Sequence, residues 1–101
     1  MPDIVVVYWR DLPAQVIVGK GRRGAKRQLA ERFEQAIDRA AMRSGAHDTE
    51  SYLADWRKQY LCAKDGRPDV IAEAEVRRLE IEYSEDRVKD LIANNGWNIT
   101  K

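Results

Sequence analysis

Histidine and cysteine occur once each in the 101 residues, at His47 and Cys62, and that scarcity excludes several kinds of chemistry at the outset. Neither a zinc cage of Cys and His ligands nor an internal disulfide can be assembled from this chain. Acid–base or covalent catalysis would have to rest on His47 or Cys62 with no recognisable partner motif. His47 falls in an expected loop, where a solvated or capping histidine is the ordinary case, and Cys62 reads as a small apolar residue. Long apolar runs are also missing, since no stretch approaches the roughly 18 residues that span a bilayer. Met1-Pro2-Asp3 lacks the basic flank and apolar core of a signal peptide. The expectation is a cytoplasmic, non-enzymatic protein with no membrane contact, no catalytic residues, no metal and no cofactor.

An excess of charge is absent too: the net formal charge is +1. It is unevenly spread, however. Residues 1–44 carry nine basic and five acidic side chains and residues 45–101 carry nine and twelve, so the halves stand at +4 and −3. That asymmetry can orient an acidic partner, or let two copies of the chain attract each other as a homo-oligomer. With a pI near 7.9 and no recognised motif, nucleic acid is not the expected partner.

What is present reads as one α+β domain over 1–101, with a hairpin over 3–18. Ile4-Val5-Val6-Val7-Tyr8-Trp9 and Ala14-Gln15-Val16-Ile17-Val18 are β-branched and aromatic, and Pro13 suits the turn or the start of the second strand. Nearly every position of the first strand is apolar, so either both its faces are partly covered or one meets a partner. Leu29, Phe33, Ala36, Ile37, Ala40 and Ala41 recur at helical spacing, predicting a helix over about 25–44 that closes at Gly45. Asp48 or Thr49 can cap a helix over 49–57. Residues 59–63 either extend that helix or form a short third strand, with extended structure favoured. Pro68 opens a helix over about 69–83, and Ser84 caps another over 85–95, with Gly96 beyond it and Trp97 placed to pack back on Ile92.

Residues 19–24, Gly-Lys-Gly-Arg-Arg-Gly, match G-x-G-x-x-G between an expected strand and an expected helix. A dinucleotide fold would need a parallel strand ending in an acid after that helix, and residues 45–58 contain none. The charge there carries more information. Lys20, Arg22, Arg23, Lys26 and Arg27 crowd the expected start of a helix whose dipole is already positive, an arrangement that a bound phosphate or carboxylate would relieve. These five are the candidate anion- or partner-binding residues, against the plain alternative of solvated side chains. Trp9 and Arg10 at the hairpin tip are candidate partner contacts, because tryptophan and arginine are favoured interface anchors.

The run from Val7-Tyr8-Trp9-Arg10-Asp11-Leu12-Pro13 to Val18, the Gly/Arg loop, Ala25 to Glu34, Ala36 to Met42, and Asp48-Thr49 to Trp56 resembles a small bacterial family named "virulence factor". The name comes from longer proteins that carry a similar domain beside helical repeats, and it denotes no biochemical activity. Stand-alone members look like accessory proteins, encoded in α-proteobacteria near folate- and corrinoid-dependent methyl-transfer enzymes. The resemblance therefore implies an accessory role with a protein partner, such as a methyl-transfer enzyme, and supplies no catalytic residues.

Overall fold

A computed structural model describes residues 2–45 and 49–97, so His47 and the expected cap Asp48 lie outside the described residues. The apolar run becomes β1 (Asp3–Trp9), which turns at Arg10-Asp11 into β2 (Leu12–Val18). With β3 (Ala25–Gln28) and β4 (Trp56–Ala63) they form a four-stranded antiparallel sheet in the order β3-β2-β1-β4. The described helices are α1 (Glu31–Ser44), α2 (Thr49–Ala54), α3 (Pro68–Glu82) and α4 (Glu85–Ala93). The α+β class and the N-terminal hairpin stand as the sequence predicts.

Two boundaries are corrected. Residues 25–28 do not open the long helix; they form β3, paired with β2 from Val18 opposite Ala25 to Gln15 opposite Gln28. Gly19 (φ 77°) and Gly21 (φ 61°) turn the chain back in left-handed conformations around a 3-10 turn at Gly21–Arg23, and this lays the next residues beside β2. Ladder hydrogen bonds there outweigh the helical propensity of Ala, Lys, Arg and Gln. The second helix stops at Ala54, and the strand expected near 59–63 already starts at Trp56.

Alternation along β1 sends Ile4, Val6 and Tyr8 to one face of the sheet and Val5, Val7 and Trp9 to the other. On the first face Ile4, Val6, Val16 and Val18 are sealed from solvent and join Leu29, Phe33, Ile71, Ala72 and Leu79 in the core cluster. Here α3 packs across β2 and β3, while α1 packs against α4. Each fully buried apolar side chain of this size contributes about 1.5–3 kcal/mol. Glu75, 3 % exposed on the packed side of α3, accepts hydrogen bonds from Nε and Nη2 of Arg78, the former at 2.9 Å.

The caps follow the residue chemistry. Gly45 (φ 79°) closes α1, and Ser84 Oγ accepts from the Arg87 amide at 3.2 Å to start α4. Asn95 (φ 61°) and Gly96 (φ 90°) end α4, and the Gly96 amide donates to the Leu91 carbonyl at 2.7 Å. Trp97, expected against Ile92, has its ring centroid 5.3 Å from the Arg10 guanidinium carbon.

Candidate functional site

Among the described residues, no element covers the second face of the sheet over most of its length. Register places Lys26, Ile17, Val5 and Tyr60 in one row across the four strands, and Gln28, Gln15, Val7 and Lys58 in the next. None of these eight is buried, and Ile17, Val5, Val7 and Tyr60 take no part in the core cluster. Tyr60 is 57 % exposed. The two rows form an apolar centre with a lysine on each edge strand, and Asp3 stands at the far end of the same face.

The described residues cover the hairpin end of this face. There Trp9 is 0 % exposed, stacked on Tyr52 at 5.9 Å, with its indole nitrogen donating to the Tyr52 carbonyl at 2.8 Å. Tyr52 in turn meets the edge of Trp56, ring to ring at 5.8 Å. Gly96 lies so close that a Cβ on it would approach the Trp9 ring to 3.0 Å.

Arg10 (φ 55°) sits at the turn. Its Nε donates to Asp55 Oδ2 at 3.0 Å and its Nη1 to the Asn95 carbonyl at 2.6 Å, while the guanidinium carbon lies 4.5 Å from the Trp9 ring centroid. The backbone joins in, with the Arg10 amide donating to the Asp55 carbonyl and the Asp11 amide to the Gly96 carbonyl. Trp9 and Arg10 thus fasten the hairpin tip to the start of β4 and the end of α4. The expected role of Trp9 as a direct partner contact is corrected on this ground, because a wholly buried indole presents no surface.

The candidate cations are distributed over the β2–β3 loop and both faces of β3. Lys20 and Arg22 are exposed in the β2–β3 loop, and Arg23 is the last residue of the 3-10 turn. Strand alternation then separates the other two: Lys26 is exposed on the uncovered face, whereas Arg27 turns to the helical side beside Glu73 and Glu80 of α3. With α1 starting at Glu31, the helix dipole invoked for anion capture acts several residues away from the loop. Gly24 is explained by crowding: a Cβ there would lie 3.0 Å from the Val18 carbonyl oxygen. The G-x-G-x-x-G spacing is a tight connection between antiparallel strands.

Two features escaped the sequence reading. One is Lys58 and Tyr60 on the uncovered face, which only the strand status of 56–63 reveals. The other is a tyrosine pair on the helical side. Tyr8 and Tyr83 are hydrogen-bonded through their side chains, with Arg57 at 4.6 Å over the Tyr8 ring and Arg87 at 4.1 Å over the Tyr83 ring. Burial, reinforced by the neighbouring Tyr8, pushes the Tyr83 phenol up to about 12, and burial also raises Tyr8. Among the described residues there is no group of three His, Cys, Asp or Glu side chains placed to hold a metal ion, and no helix long and apolar enough to cross a membrane.

A half-covered antiparallel sheet with a lysine-edged apolar face, fastened at its hairpin tip, defines a small α+β fold. The chain belongs to the virulence factor family, whose model matches residues 7–92 and so extends through β4, α3 and nearly all of α4. No curated protein and no solved structure matches it.

Proposed function

We propose that the protein is a non-enzymatic accessory or scaffold protein of the cytoplasm that binds a larger protein partner on the uncovered sheet face. The observation that carries this reading is the row Ile17-Val5-Tyr60, three apolar side chains adjacent on three strands with no element of the described chain over them. Contiguous apolar surface of this kind is costly to leave in water and is characteristic of interaction sites. Lys26 and Lys58, on opposite edge strands and one row apart, a separation of about 16 Å, edge the site and favour an acidic partner surface. Lys20 and Arg22, in the loop at the Ile17 end, extend that preference. A methyl-transfer enzyme of one-carbon metabolism is the partner that the family resemblance suggests.

The test is affinity capture with in-cell cross-linking in the source organism, using the wild type, Tyr60→Glu, and Ile81→Glu as a control on the exposed side of α3, where Ile81 is 75 % exposed. One partner retained by the wild type and the control but lost with Tyr60→Glu is the expected result. Capture indifferent to Tyr60→Glu would remove the reading. A mass that doubles with concentration, and returns to the monomer in Tyr60→Glu, would instead make the partner a second copy of the chain.

A further inference from the structure

Where the uncovered face meets the hairpin end, the sheet, α1 and α2 enclose a hollow of about 210 Å³. Its lining residues include two with amide side chains, Gln15 and Gln28, the aromatic Tyr52 and Trp56, and the acidic Glu34. The two rings stand at 82° to each other, an edge-to-face pair, and Tyr52 is held by its stacking on the buried Trp9. The aromatic walls are therefore anchored to the core.

Electrostatically the hollow is negative. No lysine or arginine is among its lining residues, and Glu34 has no salt-bridge partner among the described residues, whereas Asp55 and Glu75 are both paired with arginines. Burial raises the Tyr52 phenol, and the charges of Asp38 and Glu34 push it further in the same direction. Aromatic rings, amide oxygens and a carboxylate without a salt-bridge partner together attract a positive charge with an apolar stem.

We propose that this hollow binds an organic cation, the guanidinium or ammonium head of an arginine or lysine side chain or of a quaternary ammonium compound. The aromatic walls take the alkyl or methyl groups, and Glu34 with the glutamine carbonyls takes the charge. The site adjoins the uncovered face but does not depend on it. A protein lying on that face would place an arginine or lysine here, whereas a free quaternary ammonium ligand would bind alone.

Isotope-labelled protein is titrated with Nα-acetyl-arginine amide, Nα-acetyl-lysine amide, tetramethylammonium and, as neutral control, Nα-acetyl-glutamine amide, following the Trp56 indole resonance. At least one cation gives a saturating shift that the neutral amide does not, and Glu34→Gln weakens it by about fivefold or more while distant amide resonances stay in place. Preference for the amino-acid amides identifies a protein side chain as the ligand, and preference for tetramethylammonium a free small molecule. No saturating shift with any cation, an equal response to the neutral amide, or unchanged affinity in Glu34→Gln would each overturn the proposal. Because Glu34 lies on α1, partner capture that survives Glu34→Gln alongside failed cation binding would discard this site and leave the proposed function standing.

Discussion

Arg10 and Asp55, 45 positions apart in the chain, meet through Nε and Oδ2 at 3.0 Å, with the arginine side chain only 12 % exposed. The contact joins a hairpin turn to the residue just before the sheet's far edge strand. Its surroundings make it more than a surface ion pair: the same guanidinium bonds the Asn95 carbonyl and lies against Trp9 and Trp97.

Arg10→Ala therefore removes an ion pair, a carbonyl contact and two ring contacts at once, and leaves Asp55 unpaired. The expected loss is about 2–3 kcal/mol, or a fall in Tm of roughly 10 °C or more for a domain of this size. Arg10→Lys should recover only part of it, since an ammonium cannot serve Asp55 and Asn95 with a planar fork. Thermal unfolding by circular dichroism measures both.

Gly24→Ala should destabilise by about 1–3 kcal/mol, because the new methyl meets backbone atoms of Val18, Gly19 and Lys20 that cannot move aside. Arg22→Ala, on an exposed side chain in the same loop, should stay within about 0.5 kcal/mol. If denaturant midpoints rank the two the other way, the loop's glycines serve something other than chain reversal.

Arg78→Ala leaves the Glu75 carboxylate buried with its partner gone, at an expected cost of about 1–3 kcal/mol. Combining it with Glu75→Leu removes the charge as well, and should bring stability back toward the wild type. A double-mutant cycle in urea separates this outcome from simple additivity.

The tyrosine pair sets an alkaline limit. Tyr83 ionises at about 12 when folded and near 10 when unfolded, so the native state holds its proton more tightly across that interval. Its contribution to stability is complete below pH 10 and is lost as pH rises from 10 toward 12. Tyr8, raised in the same direction, adds to the slope. Tyr83→Phe should flatten it, as read by urea unfolding at several alkaline pH values and by tyrosinate absorbance.

The sequence carried the elements whose pattern reflects burial on one side. The α1 positions named from spacing, Phe33, Ala36, Ile37, Ala40 and Ala41, are the buried ones, and Ser84 and Gly45 cap as their chemistry dictates. β3 was illegible because Ala-Lys-Arg-Gln contains no β-branched or aromatic residue and becomes a strand only through pairing with β2. β4 was half legible. As an edge strand with Arg57, Lys58 and Gln59 in solvent and an extra residue at Leu61 interrupting its register with β1, it lacks the alternation of an ordinary half-buried strand. The uncovered face did leave a trace in the unbroken apolar run of β1, whereas the parting of Lys26 from Arg27 by strand alternation was hidden, because it depends on β3 being a strand.

The order β3-β2-β1-β4 also fixes a sequence of events in time. Val5 pairs with Ile17 on one side and with Tyr60 on the other. The local hairpin can close within microseconds, but the second border of β1 must wait for a segment that leaves the ribosome long afterwards. Between the emergence of residue 18 and that of residue 63, the nascent chain presents an open strand edge made of the apolar run Ile4 to Trp9, the kind of edge that invites aggregation. Slow translation through this interval is therefore expected to lower the yield of native protein, and an early-binding chaperone to raise it.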